Sequence, residues 1–574
     1  MAVHNRDIAA AFEEMADLLD IQGANPFRIR AYRNAARAID ELSIDLASLL
    51  AKGEELPRIP GIGADLAGKI RELCAKGRLK ALASLRRQVP PGLSDLLKLP
   101  ALGPKRVQTL YRKLGIHTSA QLRRAIHDGR LRSVAGFGPA IEAQLSAALA
   151  AAKERPERLK LAVAAQYAEP LRAYLAAVPG VVAVEVAGSY RRARETVGDI
   201  DIVVAARSGS PVIERFAGYE EVAQVMAQGP TRASVALRSG LQVDLRSVEP
   251  DSFGAALVYF TGSKAHNIAL RRIAQGRGLK INEYGVFEGV RRIAGKTEAD
   301  VYRTIGLPCI PPELREDWGE IEAARANKLP DLIEQSALKG DLHLHTRATD
   351  GHDTIAAMAE AARAAGLSYV AVTEHSKHLA MAHGLDPKRL MAQADEIDRI
   401  NTTLSGMTIL KGIEVDILED GSLDLPDDVL GRLDLVVAAV HSGFHLSREK
   451  QTARILKAME RPHFSILAHP SGRLISEREP YDVDMARIIH AARERGCFLE
   501  LNAHPARLDL LDIHCRKAKE EGVLVAISSD AHSVGEFANL KFGVLQARRG
   551  WLAKEDVLNA RPLAELRRLL KKTM

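Results

Sequence analysis

AGSYRRARETVGDIDIVV, residues 187–204, reads as a glycine-serine turn, an arginine-rich loop and then a strand. Asp199 and Asp201 stand two apart on that strand, so both carboxylates point to one side. Asp244, in LQVDLR, lies on a second candidate strand and can complete a triad. Carboxylates packed together repel unless a cation joins them. A hard ion such as Mg²⁺ or Mn²⁺ is the natural partner, with phosphate oxygens supplying further ligands. Just upstream, Gly188 and Ser189 offer close backbone approach and a hydroxyl, and Arg191 and Arg192 offer charge for a triphosphate.

Working outward, VVAVEVAGSY, DIDIVVAA and LQVDLRSV carry apolar runs or period-two alternation, so a strand-rich region begins near residue 178. Helical spacing returns at 263–275. The Pro-rich PCIPPEL (308–314) and a charged stretch to about 337 read as a linker. Toward the N-terminus, IAAAFEEMADLLDI and FRIRAYRNAARAIDEL have helical spacing. Three segments there share a hydrophobe, a Gly-x-Gly-like turn and a helix: RIPGIGADLAGKI (58–70), KLPALGPKRVQTLY (98–111) and SVAGFGPAIEAQL (133–145). This is a weak repeat of the helix-hairpin-helix type. Its helix starts present backbone N–H groups suited to phosphate, which fits sequence-independent binding of a nucleic-acid backbone.

At 574 residues the chain needs several cores. Its charge is uneven. Residues 341–574 carry 31 basic and 34 acidic groups, a balance of −3, against 49 and 39 before them, a balance of +10. A basic front half suits a polyanion. Cys74, Cys309, Cys497 and Cys515 have neither CxxC nor zinc-finger spacing, which points to a reducing compartment without a disulfide framework. Acids interrupt the N-terminal apolar pattern, so no signal peptide is expected, and no apolar run is long enough for a membrane span.

The back half is rich in histidine, holding 14 of the 18 in the chain. Nine metal-ligand residues recur there, nearly all ending an apolar run: His343, His345, Asp350, His375, Glu414, His441, His469, Asp530 and His532. Imidazole with carboxylate suits Zn, Mn and Fe, and nine groups are too many for one ion. A multi-metal hydrolytic centre is expected. Seven strand-like runs, near 341–345, 369–374, 409–415, 435–440, 465–468, 497–501 and 523–528, alternate with helical segments. That pattern points to a parallel barrel with its chemistry at the C-terminal strand ends.

GSYRR…GDIDI, VDLR and YFTGSKAHNIALR (259–271) together resemble the palm and thumb motifs of family X DNA polymerases, the polymerase-beta-like nucleotidyltransferases. The resemblance covers about 1–315. It implies that Asp199, Asp201 and Asp244 are catalytic and bind two Mg²⁺ ions. It also implies that Gly188, Ser189, Arg192 and Gly198 hold the dNTP triphosphate and that Tyr259, Phe260 and Gly262 line the sugar pocket. Asn267 and Arg271 would face the nascent pair and template. Lys69 aligns with the family's Schiff-base lysine for 5′-deoxyribose phosphate. Departures are Lys264 where eukaryotic relatives have aspartate, Gln242 where they have arginine, and Asp65 and Ala81 where lysines are usual.

The nine back-half residues match, position for position, the ligand set of the PHP (polymerase and histidinol phosphatase) domain. That resemblance implies up to three Mn²⁺ or Zn²⁺ ions: one on His343, His345, Glu414 and Asp530; one on Glu414, His441 and His469; one on Asp350, His375 and His532. The expected architecture is multidomain: all-α helix-hairpin-helix domains (1–85 lyase-like, 86–150 fingers), an α/β nucleotidyltransferase palm (151–247), a thumb (248–312), a linker (313–337) and a C-terminal (βα)7-like barrel (338–574). The expected function is gap-filling DNA synthesis in repair, with metal-dependent 3′-5′ exonuclease or 3′-end processing. The alternative is a histidinol-phosphate-type phosphatase tethered to an inactive nucleic-acid-binding module. The expected partners are gapped or primed DNA and dNTPs, for a monomer in the bacterial cytoplasm at the nucleoid.

Overall fold

The computed structural model describes the chain apart from residues 1–2, 41, 43, 60, 90–91, 98, 100, 135 and 152–157. It forms two compact units, Met1–Arg158 and Leu159–Met574. Among the described residues no helix is long and apolar enough to cross a membrane, and all four cysteines are free thiols.

The first unit is helical. In the helix Asn5–Gln22, Ile8, Phe12, Met15 and Leu19 recur every three or four residues and face the core. Phe12 meets Tyr32 of the helix Pro26–Asp40 edge to face, with centroids 5.6 Å apart. The three expected hairpins share one geometry. Gly61, Ala101 and Gly136 all take left-handed backbone (φ 67°, 64° and 93°). Each turn closes with an N–H donated three residues back: Ile62 to Ile59, Leu102 to Leu99, Phe137 to Val134, at 3.1–3.2 Å. The helices Ala64–Lys76, Pro104–Leu114 and Pro139–Ala151 then begin. Pro60, Lys98, Pro100 and Ala135 of these segments lie outside the described residues.

The second unit opens with a five-stranded sheet in the order Val181–Val186, Asp199–Ala206, Gln242–Val248, Arg232–Leu237, Val222–Gln228. Only the pair Asp199–Ala206 and Gln242–Val248 is parallel. The strands at 222–228 and 232–237 are additions to the sequence reading. The first is an edge strand exposed along nearly its whole length, so burial imposes no alternation on it. The helices Phe253–Thr261 and Lys264–Gln275 follow, then a three-stranded sheet and the helix Glu298–Thr304.

The segment 313–337 departs from the expected linker. Leu314, Ile321, Ala324 and Leu332 belong to the thumb core, with Trp551 from near the C-terminus. Some of its charges are partnered inside: Arg315, fully buried, donates to the Ile310 carbonyl at 2.8 Å and to Glu298 at 2.7 Å. Buried Glu320 pairs with the His266 ring at 2.6 Å and accepts the Asp317 and Trp318 N–H groups. Arg315 and Glu320 are thus buried ions with partners, among other charges of the segment that stay exposed.

The barrel has the seven expected parallel runs. They are Gly340–Asp341, Tyr369–Val372, Thr408–Lys411 continued by Glu414–Asp416, Val437–Ala439, Ile466–Leu467, Phe498–Asn502 and Val525–Ser528. Parallel bridges His375–Glu414 and Leu344–Ala531 join the two sheet segments into a ring. The barrel is welded to the palm: Ile475, Leu508 and Phe542 are buried in the palm core. Lys160 pairs with Glu477 at 2.8 Å and Glu195 with Arg473 at 2.7 Å.

Candidate active sites and metal centres

In the palm, the parallel register sets Asp201 directly beside Asp244 and Asp199 beside Gln242. Alternation buries Ile200 and Ile202 and turns both aspartates to the opposite face. The Ala187 N–H donates to the Asp201 carbonyl at 2.7 Å, which pins the glycine-serine turn against the strand. Gly188 sits at φ 59°, and a Cβ there would lie 2.3 Å from Asp201 Oδ2. Only glycine lets the backbone come this close to the carboxylate. Asp244 accepts from Gln242 Nε2 at 2.8 Å and from the Ser234 hydroxyl. Gln242 thus steadies the third acid with a neutral donor.

Burial first, then the charges of Asp199 and Asp244, push the Asp201 carboxyl up to about 7, with Arg192 pulling it down. Three acids so placed call for a cation.

The two arginines of GSYRR diverge. Arg191 forks onto Glu298 with two 2.8 Å bonds and also donates to Thr261 Oγ1, so it ties the palm to the thumb. Arg192 stays beside the acids, its Nε on Glu316 at 3.1 Å and an NH1 proton on the Thr261 carbonyl at 2.5 Å. Ser189 is half-buried on the short helix Gly188–Arg191, and Gly198 immediately precedes the strand Asp199–Ala206. Tyr259 and Phe260 meet edge to face at 5.0 Å at the end of their helix, just before Gly262, whose Cβ position is 3.1 Å from Arg192. Asn267 Nδ2 donates to the Tyr259 carbonyl at 2.7 Å, and Arg271 lies over the Tyr259 ring at 5.2 Å. Both therefore shape the Tyr259 wall.

Lys69 is mostly buried, stacked 5.8 Å from the Tyr32 ring and ion-paired to Asp65 one turn earlier. A Schiff-base nucleophile needs cations or apolar burial around it. Here the carboxylate that engages the nitrogen, Asp65, is itself largely exposed.

In the barrel, all nine expected ligands converge at the C-terminal strand ends. Three overlapping clusters have ligand atoms within 4.8 Å: His345, Asp350, His375 and His532; His343, His345 and Asp530; His375, Glu414 and His441. Glu414 is the hub. Its Oε1 is 3.0 Å from His469 Nε2 and 3.3 Å from His441 Nε2. Its Oε2 is 3.5 Å from His343, 3.6 Å from His345 and 2.7 Å from His375. The grouping differs from the expected one because His345 and His375 each belong to two clusters.

The protein's own hydrogen bonds do not satisfy this centre. His345 Nδ1 and Asp350 Oδ1 are buried without a hydrogen-bond partner, and His375 Nδ1 and Glu414 Oε2 meet each other at 2.7 Å. His343 Nε2 and His345 Nε2 face each other at 3.2 Å. His343 Nδ1 is 2.7 Å from Glu500 and His441 Nδ1 is 2.7 Å from Asp416. Each carboxylate only accepts, so each Nδ1 donates, and Nε2 is the nitrogen turned toward Glu414 and the centre. Burial first, then neighbouring His375 and His532, push the His345 imidazole down to about 3. This donor set fits divalent cations.

The sequence reading missed the supporting shell. Glu500 also accepts the His469 N–H at 2.7 Å, Asn502 donates to Asp530 at 2.9 Å, and Arg507 lies 3.5 Å from Asp530. The usable signal was period two: Asp416 follows Glu414 by two, and Asn502 follows Glu500 by two, on the same strand faces.

Family models match the chain from end to end. They are a helix-hairpin-helix domain at 3–79, a SAM-like helix-hairpin-helix tandem at 93–151, the DNA polymerase beta palm at 162–243, the DNA polymerase beta thumb at 256–316 and a PHP domain at 341–560. The chain is 40% identical to the DNA polymerase/3'-5' exonuclease PolX of Bacillus subtilis, over 99% of this chain and 100% of that protein. It is 27% identical to DNA polymerase lambda of Rattus norvegicus over 55% of this chain and 56% of that one. Similarity to a probable phosphatase of Thermoanaerobacter reaches 31% over 38% of this chain and 89% of that one.

Proposed function

The chain belongs to the bacterial family X DNA polymerases that carry a C-terminal PHP domain, and from that premise we propose that its palm fills gaps in duplex DNA while its barrel trims 3′ ends. The observation that carries the reading is the presence of two separate acid-rich centres in one folded unit: the palm triad and the nine-residue barrel set.

Asp199, Asp201 and Asp244 would hold two Mg²⁺ ions. Bound there, Mg²⁺ neutralises the triphosphate and makes the primer 3′-hydroxyl more acidic. Around it, Gly188 brings backbone to the acids, and Ser189, Arg192 and Gly198 cradle the phosphates. Tyr259, Phe260 and Gly262 wall the sugar, held in shape by Asn267 and Arg271. The three hairpins offer backbone N–H groups to DNA phosphates.

In the barrel, Mn²⁺ or Zn²⁺, up to three ions, would sit on the nine ligands. Such ions supply Lewis acidity toward a phosphodiester. Glu500 and Asp416 orient His343 and His441 for them, and Arg507 places positive charge at the rim for a terminal phosphate. The protein works on gapped or primed duplexes and dNTPs as a monomer in the cytoplasm, at the nucleoid. The test is primer extension on a gapped duplex. Asp199→Ala should abolish extension and keep 3′ trimming; normal extension in that variant would refute the polymerase reading.

A further inference from the structure

The barrel reaches into the polymerase site through one buried arginine. Arg549, at the last turn of the helix Leu540–Arg549, is 2% exposed. Half of its guanidinium is anchored at home: Nε and an NH2 proton both donate to Asp512 Oδ2, at 3.0 and 2.8 Å. The other half crosses to the palm. There NH1 donates to the Arg192 carbonyl at 2.8 Å and to Glu316 Oε1 at 3.0 Å. Glu316 Oε1 is the same atom that accepts from Arg192 Nε at 3.1 Å. One carboxylate oxygen is thus divided between Arg192, beside the palm acids, and an arginine of the barrel, with Arg194 farther off at 4.0 Å.

We propose that Arg549 is a positioning residue for DNA synthesis, acting on Arg192 through Glu316. The inference rests on the triphosphate role proposed above for Arg192. Two effects follow from the geometry. The bond to the Arg192 carbonyl fixes the backbone from which that side chain departs. The bond to Glu316 draws off part of the carboxylate's charge, so Arg192 keeps positive charge for an incoming triphosphate. Without Arg549, Glu316 keeps only Arg192 and the more distant Arg194, at 4.0 Å, so more of its charge falls on Arg192 and competes with the nucleotide. Arg549 belongs to none of the metal-ligand clusters, so the barrel's own chemistry does not need it.

The test is steady-state gap filling by the full chain, with 3′ trimming measured in parallel. In Arg549→Met the KM for dNTP should rise about tenfold or more, the scale of a lost charged hydrogen bond. The kcat and the trimming rate should stay near wild type. Adding Glu316→Gln should bring KM most of the way back, because the competing charge is gone; a merely structural arginine would not be rescued. Should Arg549→Met fail to fold, Arg549→Lys carries the test. It keeps the charge and stem, but one ammonium cannot reach Asp512, Glu316 and the Arg192 carbonyl together, so KM should still rise.

Unchanged KM in a folded Arg549 variant, or parallel loss of synthesis and trimming, would overturn the proposal. Arg192→Ala separates the two layers. A normal KM in Arg192→Ala removes the triphosphate role and the relay with it. A raised KM in Arg192→Ala with normal values in the Arg549 variants removes the relay alone.

Discussion

At the scale of single residues, the palm site depends on one missing methyl group. A Cβ at Gly188 would sit 2.3 Å from Asp201 Oδ2, and alanine would have to adopt φ 59°. Gly188→Ala should therefore abolish extension by displacing Asp201, the acid proposed to hold Mg²⁺, while 3′ trimming in the same preparation stays normal. Glu298 shows how charge can be read through pH. Burial pushes its carboxyl up, but the hydrogen bond from Arg191 and the charge of Arg315 hold it at about 2, against an ordinary 4.5. A depressed carboxyl stabilises the fold fully above the unfolded-state value and loses that contribution as pH falls toward the folded one. The gap in Tm between wild type and Glu298→Gln should be largest above about pH 5 and shrink between there and pH 2. A gap that widens on acidification would contradict the assignment.

Elements show what was legible in the sequence and what was not. The strand of DIDIVVAA was readable because one face is buried and the other carries the acids. Most ligand positions were readable because they end an apolar run near a strand's C-terminal end; Asp350 lies in the turn beyond the first strand. The edge strand Val222–Gln228 was not, since exposure removes the alternation that marks a strand. The segment 313–337 misled for a different reason. Its charges look solvated, yet Arg315 and Glu320 are buried because Glu298 and His266 meet them from elsewhere in the chain. Such pairing is a tertiary fact with no local pattern. Glu316 and Arg549 are invisible in the same way. The helix Leu540–Arg549 also puts Phe542, 4% exposed, into the palm core. Phe542→Ala should cost about 3–5 kcal/mol in denaturant unfolding, with palm and barrel losing stability together. A loss confined to the barrel would contradict the shared core.

For the whole molecule, the weld between palm, thumb and barrel places two chemistries on one frame. The palm face has three acids spread along parallel strands; the barrel has nine ligands gathered around Glu414. The centres share no ligand, so each should fail alone. The most direct measurement follows a single 5′-labelled primer at a gap with Mn²⁺, with and without dNTPs, in wild type, Asp199→Ala and His345→Ala. Wild type should lengthen the strand with dNTPs and shorten it without them. Asp199→Ala should only shorten it, and His345→Ala should only lengthen it. Normal shortening by His345→Ala, or loss of both reactions in either variant, would contradict two independent centres in this chain.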